Sequence, residues 1–184
     1  MKHDPDQDLV EQAKGGDKAA FGKLVQKHYE MVYAVAYGVL GNREEALDAT
    51  QEVFIKVFRE IGKFQGQSKF KTWLYRVSIN SAIDACRRRR PTEPIEEGAV
   101  FETQSPSPRE QASQEEVHEL VRKALGLLNP EHRAVLVLRE WHELSYEEIA
   151  QTLQLEIGTV MSRLFYARKK LAELIGTKLK GLKA

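Results

Sequence analysis

The sequence contains little of what a disulfide-stabilised, membrane-spanning or catalytic protein requires. Its single cysteine, Cys86, excludes a disulfide within the chain and fits a reducing compartment. No apolar run is long enough to span a membrane, and residues 1–10 lack the apolar core of a signal peptide. The five histidines show no HExxH spacing, and there is no CxxC pair or Gly-rich phosphate loop. We therefore expect a cytoplasmic protein that is not an enzyme, needs no cofactor or metal, and takes no small-molecule substrate.

Charge is unevenly distributed along the chain, although the net charge is only +1. Residues 65–90 carry seven basic side chains and one acidic one, a net charge of +6. Residues 91–116 carry the reverse, −6, and residues 158–184 return to +6. Two basic regions separated by an acidic one indicate two contacts with a single polyanionic ligand.

Helix signals run through the whole chain. Asp17 and Asn42 are expected N-caps, Gly41 and Gly62 are expected stops, and Asn129 precedes a proline at the first helical position. With the apolar periodicity, these signals predict helices over 8–14, 17–40, 43–61, about 69–89, 113–128, 129 to about 143, 146 to about 154, and 159 to beyond 171. The predicted fold class is all-α.

Residues 91–112 interrupt the helical pattern. They contain four prolines, many glutamates, serines and glutamines, and few large apolar side chains. Such a segment cannot bury enough surface to offset its chain entropy. We therefore predict two small helical domains, 1–90 and 113–184, joined by a flexible, acidic, proline-rich linker.

The C-terminal stretch LSYEEIAQTLQLEIGTVMSRLFYARKKL, residues 144–171, has the pattern of a helix-turn-helix. Ser145 and Glu148 form a capping box, and residues 155–158 read as a tight turn. The second helix places its apolar stripe at Val160, Leu164, Ala167 and Leu171, and leaves basic and aromatic side chains outside it. Such a helix fits the DNA major groove. An ordinary helical hairpin with a solvated basic face has the same pattern.

The fourth predicted helix, KFKTWLYRVSINSAIDACRRRR, mixes aromatic and basic side chains. Cations that neutralise phosphates and aromatics that stack on bases are what binding of single-stranded nucleic acid requires. The loop 64–68 before this helix contains Gly66 and could accept a flipped base. The structural alternative is that Trp73 belongs to the core and that the run 87–90 is a solvated helix end favoured by the macrodipole.

Three motifs occur in a recognisable order along the chain. They are DATQEVFIKVF at 48–58, FKTWLYRVSINSAID at 70–84, and, after the proline-rich segment, the helix-turn-helix at 144–171. Together they resemble the extracytoplasmic-function (ECF) group of bacterial RNA polymerase sigma factors, over about residues 9–175. The resemblance implies a protein that binds core RNA polymerase and directs initiation by reading the −10 and −35 promoter elements. The alternative is a stand-alone helix-turn-helix regulator that binds duplex DNA as a dimer.

The resemblance also implies roles for individual residues. It assigns contact with the β′ clamp helices of the polymerase to Asp48, Gln51, Glu52, Phe54 and Ile55. These residues would otherwise form a solvated acidic helix face. The resemblance also implies the polymerase β subunit as a partner. Melting and single-strand reading of the −10 element fall on Phe64, Lys69, Phe70, Lys71, Trp73, Arg76, Asn80, Arg87 and Arg88. Reading of the −35 duplex falls on Thr159, Met161, Ser162, Arg163, Phe165, Tyr166, Arg168 and Lys169.

Two positions depart from the family pattern. Met161 and Tyr166 stand where basic residues are common in the family, which shifts the expected −35 readout toward apolar or shape contacts.

The linker matches the segment that follows the nascent-RNA path of the polymerase. The family also implies an anti-sigma factor as a partner. Free of polymerase, the two domains can pack together and hide both DNA-binding surfaces.

Overall fold

Eight α-helices and one short 3₁₀ turn make up the part of the chain that the structure describes, and no strand occurs there. The computed structural model describes residues 4–89 and 114–181. The helices are α1 (Gln7–Lys14), α2 (Lys18–Leu40), α3 (Arg43–Glu60), α4 (Phe70–Arg89), α5 (Gln114–Gly126), α6 (Pro130–Glu140), α7 (Tyr146–Leu153) and α8 (Ile157–Gly181). The all-α prediction is confirmed. The predicted linker and the predicted cap Ser113 lie outside the described residues.

The helix ends are set by the capping residues that the sequence indicates. The Asp17 carboxylate accepts from the backbone N–H groups of Ala19 and Ala20, at 2.8 and 3.1 Å. Gly41 ends α2 with φ 69°, a left-handed conformation that glycine adopts without strain. Ser145 and Glu148 form the predicted capping box at the start of α7, with both hydrogen bonds present.

Several predicted boundaries are wrong by one to three residues; for example, the helix predicted to reach 128 ends at Gly126. The helix predicted over 43–61 ends at Glu60 and is followed by a 3₁₀ turn at Ile61–Lys63. The helix predicted to reach about 143 ends at Glu140, before Glu143 at φ 54°. The turn predicted at 155–158 is shorter. Gln154 takes the left-handed conformation that ends α7, and the carbonyl of Glu156 already accepts from two N–H groups of α8.

Apolar side chains form two buried clusters. The first lies among α1–α4 and includes Leu24, Val32, Phe70 and Leu74. In the second, residues of α2, α3 and α4 pack directly against α5–α8 in one continuous cluster; it includes Val39, Ile79, Leu138, Ile149 and Leu164. The N-terminal and C-terminal helices therefore pack together, as the sequence suggested for the chain free of polymerase.

Arginine side chains reinforce this packing through backbone carbonyls. Arg133 is buried on α6 and donates hydrogen bonds to the carbonyls of Val39, Gly126 (2.7 Å) and Leu128 (3.0 Å). Arg122 donates to the carbonyl of Gly41 at 2.8 Å. Both arginines thus bind the C-terminal end of α2, where the helix macrodipole favours positive charge.

Candidate nucleic-acid and polymerase interfaces

An aromatic cluster lies where the loop 64–69 meets the start of α4. The ring of Trp73 lies 5.2 Å from that of Phe64 and 5.8 Å from that of Phe70, centroid to centroid. Phe64 and Trp73 also line a pocket of about 270 Å³, together with Glu60 and Lys63. The pocket thus combines two aromatic walls, a cation and a carboxylate, which suits a planar, hydrogen-bonding guest.

The predicted −10 residues divide by exposure. Phe70 is only 1% exposed and lies in the core, where it supports the cluster from below. Trp73 and Arg76 are half-buried, so Trp73 combines the packing role and the surface role that the sequence left open. The side chains free to meet a strand are Lys69, Lys71 and Asn80.

The basic end of α4 already has acidic partners. Arg87 pairs with Glu131 of α6 at 2.8 Å, and Arg88 pairs with Glu52 of α3 at 3.1 Å. Burial by itself would raise the pKa of Glu131, but a backbone hydrogen bond and the Arg87 guanidinium outweigh it and lower that pKa. Glu131 thus remains ionised at neutral pH and holds Arg87 between the two halves of the chain.

The outward face of α3 carries the predicted polymerase contacts. Asp48, Gln51, Glu52 and Ile55 are exposed, and Ile55 is 52% exposed. Phe54 points inward and stacks on Tyr29, with ring centroids 6.3 Å apart.

Phe58 lies on this face and was not among the predicted polymerase contacts. Its ring is 51% exposed, and it lies edge-on to Phe21 at 5.0 Å. Phe58 lies three residues after Ile55 on the same face, so the i, i+3 spacing of two large apolar side chains among charged ones was the available signal. An exposed apolar pair rimmed by charge is typical of a protein-binding surface.

The second helix of the helix-turn-helix buries the predicted stripe. Val160, Leu164 and Ala167 are buried, and Leu171 is half-buried. On the opposite face the large apolar side chains are exposed, with Phe165 at 63%. The exposed side chains are Met161, Ser162, Phe165, Tyr166, Arg168 and Lys169, while Thr159 and Arg163 are half-buried.

A shallow groove of about 480 Å³ runs beside this face, between α7 and α8. Tyr146 and Phe165 line its apolar part, and Arg168 and Lys169 form its basic rim. Arg168 is held by Glu140, with Nη2 2.6 Å from the carboxylate oxygen, and this hydrogen bond raises the pKa of Arg168. Of the two cations on the rim of this groove, Arg168 is thus already paired with the carboxylate of Glu140.

Packing of the two halves leaves exposed side chains on both predicted DNA-binding surfaces. Tyr75 and Ile79 of α4 are buried against the C-terminal helices, and the Tyr75 hydroxyl lies 3.3 Å from Nδ1 of His142. Burial, followed by the nearby Glu148 charge, raises the pKa of Tyr75 to about 12. The outward face of α8 stays open, as do Lys69, Lys71 and Asn80 of the −10 surface, so the suggestion that packing hides both surfaces is wrong.

Within the ranges 4–89 and 114–181, no helix is long and apolar enough to cross a membrane. Over the same residues, no group of three or more His, Cys, Asp or Glu side chains is placed to hold a metal ion.

Comparison with known families matches both halves of the chain. The family model described as "Sigma-70 region 2" matches residues 24–92, which contain α3 and α4. The one described as "Sigma-70, region 4" matches residues 118–171, which contain the helix-turn-helix. These two regions define the class: a sigma factor, the component that directs RNA polymerase to promoters for transcription initiation. The class is not a catalytic one.

Curated relatives narrow the class. The chain is 37% identical to the RNA polymerase sigma-H factor of Pseudomonas aeruginosa over 179 residues, covering 92% of this chain and 93% of that one. It is 35% identical to the ECF RNA polymerase sigma-E factor of Escherichia coli K12 (89% and 91% covered) and 32% identical to ECF sigma factor SigW of Bacillus subtilis (88% and 92%). The chain belongs to the ECF group of bacterial RNA polymerase sigma factors.

Solved structures agree on the fold. CnrH, in complex with the cytosolic domain of CnrY, is 28% identical, with a TM-score of 0.69 over 94% of this chain and 97% of that one. The sigma factor RpoE of Bartonella quintana, in complex with the anti-sigma factor NepR, is 25% identical, with a TM-score of 0.61 over 85% and 96%.

Proposed function

We propose that three separate surfaces of this sigma factor perform the three steps of its work. The outward face of α3 docks on the β′ clamp helices of core polymerase, through Ile55 and Phe58 at the centre and Asp48, Gln51 and Glu52 at the rim. The exposed apolar pair supports this assignment, because interface centres are apolar and their rims polar. Phe54 lies behind the surface and holds Tyr29 in place.

The start of α4 traps the opened −10 strand. Lys69, Lys71 and Arg76 neutralise phosphates, and Asn80 reads a base edge. An unpaired base stacks on Trp73 or Phe64, and the pocket of about 270 Å³ that these two side chains line accepts a base flipped out of the stack. The observation that carries this assignment is the position of an aromatic-walled pocket beside exposed lysines. Each stacked base contributes about 1–3 kcal/mol.

The outward face of α8 reads the −35 duplex in the major groove. Met161, Phe165 and Tyr166 supply apolar contact to base edges, while Lys169 and Arg163 contact phosphates. Thr159 and Ser162 lie near the start of α8, where short polar side chains can approach the backbone of the duplex. Arg168 joins them when it leaves Glu140.

The same reasoning covers the whole chain. We assign residues 1–90 to polymerase docking and −10 reading, 91–112 to a linker, and 113–184 to −35 reading. The β subunit of the polymerase is a second contact for the assembled protein. The chain acts in the cytoplasm and catalyses no reaction of its own. An anti-sigma factor is a fitting inhibitor, because the related RpoE is seen in complex with the anti-sigma factor NepR.

A reconstituted transcription assay tests the −10 assignment. Purified protein and core polymerase are incubated with genomic promoter fragments, and the transcript starts are sequenced. Trp73→Ala and Asn80→Ala should assemble with polymerase normally and open promoters less well, and for Trp73→Ala the loss should be at least about fivefold, given the stacking energy. Gln26→Ala, at an exposed position on α2, is the control. Equal loss of polymerase binding by the two variants would contradict the assignment.

Footprinting without polymerase tests the rival function. A stand-alone dimeric helix-turn-helix regulator protects a palindrome by itself. The proposed sigma factor binds promoter DNA weakly until core polymerase fixes the spacing of its two DNA-binding surfaces.

A further inference from the structure

The start of α4 is capped from the other end of the first domain. The backbone N–H of Phe70, the first residue of α4, donates to Oδ2 of Asp4 at 2.7 Å, across 66 positions of sequence. The first N–H groups of a helix have no acceptor within the helix, so an external carboxylate fixes where the helix begins. Asp4 supplies that acceptor from the N-terminal segment.

The segment that carries Asp4 is itself anchored. The other oxygen of Asp4 accepts from the N–H of Asp6 at 3.1 Å. Asp6 is 1% exposed, and its carboxylate lies 2.9 Å from Nε2 of His28 and 2.5 Å from Nζ of Lys27, both on α2. A buried carboxylate with two such partners is costly to displace. The turn from Asp4 to Asp6 is therefore a rigid link between α2 and α4.

This link ends at the aromatic cluster proposed to hold the −10 strand. Phe70 carries the capped N–H, and its ring lies 5.6 Å from that of His28. The same ring contacts Phe64 at 6.1 Å and Trp73 at 5.8 Å. Loop 64–69 contains Gly66 at φ 70°, a left-handed conformation that glycine adopts without strain. The cap from Asp4 holds the end nearest Trp73.

We propose that Asp4 is a positioning residue for the −10 surface. It does not touch DNA. By fixing the first turn of α4, it keeps Phe64 and Trp73 in place as the aromatic walls of the pocket, so the strand meets a preformed site. This inference rests on the proposed −10 role of the cluster. Loss of the cap should reduce strand binding without reducing assembly with polymerase.

Three variants of the full-length chain test the inference. Asp4→Ala removes the acceptor, and Asp4→Asn keeps an acceptor oxygen in place. Asp17→Ala is the matched control, because the Asp17 carboxylate accepts hydrogen bonds from the first N–H groups of a different helix, α2. Loss of either cap lowers the free energy of unfolding by a similar amount, so a difference between them in strand binding reports position rather than stability.

The main readout is the affinity of the holoenzyme for a fluorescent single-stranded oligonucleotide carrying the −10 element of a promoter mapped by transcript sequencing. Asp4→Ala should weaken it about fivefold, while Asp4→Asn and Asp17→Ala stay within about twofold of the unmodified chain. The second readout is acrylamide quenching of Trp73, the only tryptophan left in a Trp141→Phe background. It should increase for Asp4→Ala alone.

The arms separate the two proposals. If the unmodified holoenzyme does not prefer this oligonucleotide to a scrambled one, the proposed −10 role fails. If Trp73→Ala loses the preference while Asp4→Ala keeps it, only the positioning role of Asp4 is overturned. Equal losses for Asp4→Ala and Asp17→Ala would also overturn it, because the effect would then follow stability alone.

Discussion

Gly38→Ala should separate the two halves of the protein without touching any proposed DNA or polymerase contact. Gly38 is buried near the end of α2. Val137 of α6 and Trp141, the residue that follows α6, pack over it. A Cβ at this position would lie 2.7 Å from Cζ3 of Trp141 and 2.8 Å from Cγ1 of Val137, closer than real Cβ contacts come. Trp141 is 47% exposed and can turn outward, but Val137 is buried and cannot. The substitution therefore forces α2 and α6 apart.

The magnitude follows from two opposing effects. Alanine in a helix interior stabilises α2 by roughly 1 kcal/mol relative to glycine, and does so equally in the packed and separated states. Overpacking costs about 1–3 kcal/mol and acts only in the packed state. Only the overpacking cost changes the ratio of packed to separated molecules, which shifts by about five- to 150-fold toward separation. Global stability of the first domain should rise, while contact between the halves is weakened.

Double electron–electron resonance, which measures the distance between two spin labels, checks this outcome. Spin labels at Gln51 and Lys170, both exposed, report the separation of α3 and α8 in a Cys86→Ser background. Gly38→Ala should give a longer and broader distance distribution. Gly22→Ala, in the same helix with nothing within 4 Å of the added Cβ, is the matched control and should leave it unchanged. Identical distributions for the two variants would refute the reasoning.

Three further outcomes are expected. Burial, and then the charge of Lys71, lower the pKa of His142 below 6.5 in the packed state; packing is therefore at full strength above about pH 6.5 and weakens as pH falls further, and His142→Gln should flatten this dependence in the same distance measurement. Ile55→Glu should weaken assembly with core polymerase at least about tenfold while leaving the melting temperature unchanged, and an unchanged affinity in a binding titration would exclude α3 as the docking face. Glu140→Gln should free Arg168 and raise affinity for a −35 duplex about two- to fivefold at low salt, with the gain disappearing at high salt; a gain that persists would point away from electrostatics.

Local signals in the sequence predicted the helices well because the relevant interactions are local. Asp17, Asn42 and Ser145 each satisfy N–H groups two or three residues away, so a short window of sequence contains both partners. The stripe of α8 was predicted for the same reason, since helical periodicity alone places Val160 and Leu164 on one face.

Non-local interactions could not be predicted in this way. Asp4 caps a helix that begins 66 positions later, and nothing in its neighbourhood announces that partner. The depth of Phe70 was equally hidden, because an aromatic at the start of a basic helix suits both a core and a stacking surface. The boundary after α7 moved because Gln154 ended that helix in the left-handed conformation without a glycine to signal it.

Arg122 and Arg133 donate their hydrogen bonds at the end of α2 to main-chain carbonyls and not to side chains. A carbonyl is supplied by any amino acid, so these hydrogen bonds do not depend on the side chain of residue 39. The fold thereby separates mutual attachment of its two modules from their individual specificities. Exchange of a C-terminal module between paralogous chains should preserve this attachment, and new pairings of promoter elements become accessible by recombination alone.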